Sequence, residues 1–272
     1  MTTLVKSIPL SLQLLGGWFI HAVGELGRKG IFFAAALWRS VTPRWHLGRI
    51  LHQMYFIGWK SVFVIMLTGL FTGMVLGFQG FYALQKAGMT AILGAAVALS
   101  LIRELGPVLT AIMVTSRAGS AMAAEIGVMR ISEQIDALDT MDIDPIRFLV
   151  APRLIAGVIC IPLLTALFDT VGILGGYITG VWLLGVQPGT YVAQMEINVG
   201  MNDVLDGFVK AFIFALIVIT ICTYKGYSTH RQKRGYGARG VGMSTTTAVV
   251  LSCVLILVVD YVLTSFLIRG NI

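Results

Sequence analysis

Charge is what this 272-residue chain has least of. Asp, Glu, Lys and Arg together make up 12% of it, and 57% is hydrophobic. A soluble domain carries about 25% charged residues, so the sequence reads as an all-α integral membrane protein whose length counts spans rather than domains. No long polar segment is present that would bury a separate soluble core. Cysteine is scarce as well. Cys160, Cys222 and Cys253 stand singly in apolar runs, which excludes a disulfide framework or a cysteine metal site and leaves packing as their role. No Gly-x-x-x-x-Gly-Lys-Ser/Thr occurs, so the chain has no P-loop of its own. The glycine-rich Gly235 to Gly242 lacks that lysine and reads as a loop. Ser116 to Ser120 is not Gly-x-Ser-x-Gly. His21, His46, His52 and His230 fall in interfacial or extramembrane regions, which argues against an intramembrane metal site. Enzyme chemistry and metal or cofactor binding are not expected; transport, scaffolding or signalling remain. Lys6 precedes an apolar run broken by Pro9, Gln13, Gly16 and Gly17 with no small-x-small site after it, so no cleavable signal is expected. The net charge of +7 is concentrated in particular loops. That points to topology rather than to nucleic acid.

What is present is a set of long apolar runs. Residues 1–50 hold two runs too short for the ~20 residues of a span, divided by Arg28-Lys29. Trp18, Trp38 and Trp45 lie near basic residues, which suits the headgroup level. This region is expected to form one or two interfacial helices, with a loosely ordered tail or a true span at Leu10 to Val23 as alternatives. Residues 51–272 form a five-span body, with spans near 54–85, 87–117, 154–186, 207–224 and 241–268. In the first span Gly69, Gly73 and Gly77 share one helix face, which suits close helix packing within the chain or across a dimer, or the wall of a cavity. Residues 190–206 read as a mixed loop with acids and no base. Basic residues fall in the N-terminal region, in 117–153 and in 225–239. The positive-inside rule then places the N-terminus in the cytoplasm and the C-terminus outside.

The stretch from Ser100 to Arg153 organises the rest. Arg103 and Glu104 stand side by side in an apolar helix, and each charge costs at least ~2.5 kcal/mol there. Gly106-Pro107 follows and predicts a kink. Arg103 suits a phosphate by charge-assisted hydrogen bonds, and Glu104 would balance it or help release the ligand. The alternative is that the pair makes structural bonds between helices. Asp169 and Asp260 read mainly as polar ties, or as partners for Lys210 or Arg269. Arg117 and Glu125 read as a structural ion pair at the cytoplasmic edge. Between spans two and three, residues 125–140 form an amphipathic helix with an Ile131, Ile135, Leu138 stripe. Pro145 lies beyond it. Such a helix is a natural dock for a soluble partner.

Arg103-Glu104-Leu-Gly-Pro107, Ser116-Arg-Ala-Gly-Ser120, Ala124-Glu-Ile-Gly-Val-Met-Arg130, Glu133-Gln134 and Asp144-Pro145 together resemble the MlaE/YrbE permease family. These are membrane subunits of ABC transporters that work with MCE-domain proteins, and the chloroplast lipid-import permeases belong with them. The resemblance covers roughly Leu51 to the C-terminus. It implies a homodimer in the bacterial inner membrane, with a cytoplasmic ATPase that binds ATP and Mg, a STAS-domain subunit and a periplasmic MCE hexamer. It implies phospholipid as substrate, moved between inner and outer membranes to maintain lipid asymmetry. It further implies that Arg103, Glu104, Leu76 and Gln79 line a lipid cavity. Glu125, Met129, Arg130, Glu133, Gln134 and Asp139 would belong to the coupling helix docked on the ATPase. Two rival readings stand beside it. One is a proton-coupled secondary transporter using Glu104, Asp169 or Asp260 as carriers, although no inverted repeat is visible. The other is a passive anchor that docks a protein through 125–139.

Overall fold

A computed structural model describes residues 10–41, 47–231 and 237–270, and every regular element among them is helical. Five helices are long and apolar enough to cross a membrane. In chain order the elements are α1 (Leu10–Val41), α2 (Leu47–Lys86), α3 (Thr90–Ile131), α4 (Gln134–Thr140), α5 (Ile146–Leu183), α6 (Pro188–Asn198), α7 (Met201–Tyr227) and α8 (Ala238–Gly270). The spans are α2, α3, α5, α7 and α8. They match the five expected runs but extend past them at most ends.

The glycine face of α2 meets α5 within the same chain. A Cβ added at Gly69 would lie 2.9 Å from the Phe168 carbonyl oxygen, and one at Gly77 would lie 3.0 Å from that of Gly176. At Gly73 it would overlap the Gly172 backbone outright. Glycine on both sides lets two backbones approach as no larger residue would allow. Of the three readings of that face, packing within the chain is the one observed. α7 packs against α3, α5 and α8 and carries much of the core, including Phe214, Val218 and Ile219. All three cysteines are free, and Cys160 and Cys222 are buried.

Three expectations are corrected. Of the one or two helices expected in the N-terminal region, one of 32 residues is observed. Arg28 and Lys29, the expected divider, both reach back to Glu25 at 3.6 Å, at i,i+3 and i,i+4 spacing that supports a continuous helix. α1 is not among the five span-like helices. Trp45 and His46 lie outside the described residues, as do the side chains of Trp18, His21 and Arg269. The supposed loop after span three contains α6, which starts at Pro188 and buries Tyr191 to 1% exposure between α3 and α5. Burial pushes the Tyr191 hydroxyl up to about 12. The glycine-rich segment becomes helical at Ala238, straight after Gly237 in the left-handed region, while residues 235 and 236 lie outside the described ones.

The third correction concerns 125–140. α3 runs on to Ile131, so Glu125, Met129 and Arg130 ride on the end of a spanning helix. The helix breaks at Ser132-Glu133, where Glu133 takes a left-handed φ of 58°, and α4 starts anew. The stripe of Ile131, Ile135 and Leu138 is real in spacing, but a left-handed residue sits inside it.

Candidate functional site

The charged pair sits on a π-helical turn of α3, Leu101–Leu105. A π turn wedges an extra residue into the helix, and such turns are frequent at functional sites. Pro107 follows directly and has no amide hydrogen, so the Arg103 carbonyl loses its usual helical donor. Lys210 of α7 replaces it, donating from Nζ to that oxygen at 2.9 Å. α7 comes this close because it presents glycine: a Cβ at Gly207 would lie 2.5 Å from the Ile102 carbonyl oxygen.

Lys210 is the hub. Its side chain is 2% exposed. Nζ donates to Glu104 Oε2 at 2.6 Å and to Thr264 Oγ1 at 2.7 Å. Asp260 Oδ1 lies 3.2 Å away, near enough for an ion pair but off the line of a hydrogen bond. Thr264 in turn donates to the Glu104 carboxylate at 3.2 Å. Asp260 and Thr264 share a face of α8 at i,i+4. Arg103 turns the other way. Its Nε donates to Asp203 Oδ1 at 2.7 Å, and a second guanidinium nitrogen joins the same oxygen. Asp203 Oδ2 accepts from the Gly200 amide at 2.9 Å and so caps α7. One carboxylate thus both starts α7 and holds Arg103.

Arg103 and Glu104 therefore do not pair with each other. Each is tied to another helix, as the structural reading had it. Yet both stay open: the Arg103 side chain is 51% exposed and that of Glu104 40%. Two cations and three carboxylates meet here, anchored from behind by a buried ammonium and facing outward through a guanidinium and a carboxylate. That arrangement can offer donors to an anionic headgroup while apolar helix faces surround it. The site lies near one end of the bundle. Lys210 is nine residues into α7, roughly 13 Å from its start. α4 lies at the far end of α3.

The other sequence candidates fall in three places. On α2, Leu76 is half-buried against the core and Gln79 is exposed, whereas the polar contacts of Arg103 and Glu104 run to α7 and α8. Asp169 does not reach Lys210; its Oδ1 is buried beside Gly106 with no hydrogen-bond partner among the described residues. At the α4 end, Arg117 and Glu125 do not form the expected pair. Glu125 joins Arg153 at 2.9 Å, while Arg117 donates to the Phe56 carbonyl and lies over the Phe56 ring at 5.3 Å. Arg130 crosses the helix break to Asp136 at 2.7 Å and also donates to His230 Nδ1 at 3.0 Å. Glu133, Gln134 and Asp139 are exposed. Lys210, Asp203 and Thr264 are the members that sequence reasoning did not assign to the site. The signal for Asp203 was its place three residues after Gly200, a first-turn acid at a helix start. For Lys210 it was a lone lysine seven residues on, the same helix face.

The protein-family description "Permease MlaE" matches residues 50–266. The chain is 40% identical to the intermembrane phospholipid transport system permease protein MlaE of Haemophilus influenzae, over 94% of this chain and 97% of that one. It is 39% identical to a probable ABC transporter permease protein of Rickettsia bellii, over 92% and 95% of the two chains. It is 36% identical to the chloroplastic protein TRIGALACTOSYLDIACYLGLYCEROL 1 of Arabidopsis thaliana, over 85% of this chain and 65% of that one. With five apolar spans, a family match over most of its length and relatives of this identity, the chain belongs to the MlaE permease family.

Proposed function

We propose that this chain is the permease subunit of an ABC transporter that moves phospholipids between the inner and outer membranes of a bacterium and so maintains lipid asymmetry, with ATP hydrolysed by a separate subunit. The observation that carries the reading is the half-open charged centre: exposed Arg103 and Glu104 held by a buried Lys210 among apolar helices. A phospholipid needs donors for one phosphate and apolar room for its chains, and this centre offers both. In the working assembly two copies meet so that Arg103, Glu104, Leu76 and Gln79 face a common cavity. The segment with Glu125, Met129, Arg130, Glu133, Gln134 and Asp139 docks on the ATPase, which carries a STAS-domain subunit, and an MCE hexamer stands on the opposite face. The N-terminus and α4 lie in the cytoplasm and the C-terminus in the periplasm.

The purified chain alone should hydrolyse no ATP and should gain activity only with a P-loop partner. Arg130→Glu with Glu133→Arg should abolish that association in a pull-down from detergent. An association left intact would place the dock elsewhere. The proton-coupled alternative draws on two observations, the three carboxylates around two cations and the unpartnered Asp169 oxygen. Transport that survives without any ATPase and stops on adding an uncoupler would favour it.

A further inference from the structure

Arg103 gives only one of its edges to Asp203. Nε and Nη2 both donate to the same oxygen, Oδ1, Nε at 2.7 Å. Nη1 has no partner among the described residues, and 51% of the side chain is exposed. A guanidinium is a rigid fork whose donors lie along more than one edge. The edge with Nε is occupied by Asp203. The edge formed by Nη1 and the outer hydrogen of Nη2 is open. A phosphodiester has two unesterified oxygens, and they match that open edge side by side. A phosphate can therefore reach Arg103 without displacing Asp203.

Asp203 cannot turn away from that position. Its side chain is 8% exposed, and its second oxygen is held by the Gly200 amide at 2.9 Å. Among the described residues it is the acid that Arg103 touches. Glu104 and Asp260 lie against Lys210, farther along α7, and Asp206 has a partner of its own. A carboxylate and a phosphate on two edges of one guanidinium lie roughly 7 Å apart. At an effective dielectric of about 20 their repulsion weakens phosphate binding roughly fiftyfold. Without the carboxylate Arg103 would be looser, and ordering it would cost a ligand about two- to tenfold. The repulsion is the larger effect.

We infer that Asp203 is the positioning residue that lets the headgroup go. One of its oxygens aims the open edge of Arg103 at the lipid phosphate. Its charge keeps that grip weak enough to be given up. The inference rests on the reading that Arg103 receives a phospholipid phosphate, and it adds how that lipid leaves. A transport site must release what it binds, and an arginine facing a phosphate among apolar helices without a counter-charge would hold it too long.

The test follows exchange of a fluorescent phosphatidylglycerol from the full, detergent-solubilised chain into excess unlabelled lipid. Asp203→Asn removes the charge but keeps an oxygen for the Gly200 amide. It should release the lipid about tenfold more slowly and bind it more tightly by a similar factor. Asp203→Ser, neutral and smaller, should slow release likewise. Asp203→Glu restores the charge with a residue that suits this capping position, and should return release toward the parent rate. A merely structural role has the opposite sign, since a loose Arg103 binds more weakly and releases faster. Arg103→Ala separates this inference from the reading beneath it. If Arg103→Ala loses the lipid while both neutral Asp203 variants release it as fast as the parent or faster, the inference is overturned and the transport reading stands. If Arg103→Ala binds as the parent does, the headgroup sits elsewhere and both fall. A slowing in Asp206→Asn as large as that in Asp203→Asn would assign the effect to overall charge at the start of α7 and overturn the inference too.

Discussion

Lys210 shows how a membrane protein tolerates a cluster of charges. Its ammonium, 2% exposed, has four oxygens within 3.2 Å, one of them the carbonyl that Pro107 leaves without a helical donor. Removing one partner of a buried ion pair costs about 3–5 kcal/mol, because the other is left uncompensated. Lys210→Met should therefore lower thermal stability by about that much, measured as unfolding of the detergent-solubilised protein. Adding Glu104→Gln and Asp260→Asn to it should restore most of the loss. A Lys210→Met variant as stable as the parent would mean the ammonium is not the hub. Arg103→Gln should cost less, about 1–3 kcal/mol, since half of that side chain already faces outward but its partner Asp203 is 8% exposed and would keep only the Gly200 amide. At this scale the sequence was partly legible. Charges in an apolar run are conspicuous, so Arg103, Glu104, Lys210, Asp169 and Asp260 could all be picked out. Their partners could not. Arg103 and Asp203 are a hundred positions apart, and only the packing of α3 on α7 decides that they meet.

Helices pack here by spending side-chain volume where backbones must touch. The four-residue glycine spacing of α2 was readable as a packing face, but nothing in α2 itself says that the partner is α5. Gly73→Leu should force α2 from α5, since even a Cβ overlaps the Gly172 backbone. Overpacking of this kind costs about 1–3 kcal/mol or more, and a matching fall in melting temperature checks it. An unchanged melting point would contradict the close contact. The break between α3 and α4 was not readable, because Glu133 is not a residue type that announces a left-handed φ. α6 was missed for another reason: eleven residues of mixed polarity carry too little periodicity to stand out, and its anchor is one tyrosine. Arg130 holds the two sides of the α3–α4 break together. Arg130→Ala should speed hydrogen exchange in 134–140 while leaving α2 and α5 unchanged. Equal exchange in variant and parent would show that α4 is held by other contacts.

At the scale of the whole molecule the two polar ends are far apart. The charged centre lies near the start of α7, and α4 lies beyond the far end of α3, with Glu104 and Ile131 separated by roughly 40 Å of continuous helix. A partner on α4 has routes into the bundle through α3, through α7, which Arg130 and Tyr227 bring under α4, and through the short link to α5, whose Asp144 is held by Arg39 of α1. The overall plan was the most legible level of all, since five charge-poor runs and the order of the motifs specify both the span count and the family. In the proposed function Arg103 and Glu104 serve phospholipid transport driven by a separate ATPase. Its most direct test is transfer of labelled phospholipid from proteoliposomes holding this chain with the proposed ATPase and MCE partners. Transfer should require ATP and should fall to background in the Arg103→Ala, Glu104→Ala variant while the complex stays assembled. Undiminished transfer by an assembled double variant, or transfer without ATP, would contradict the account.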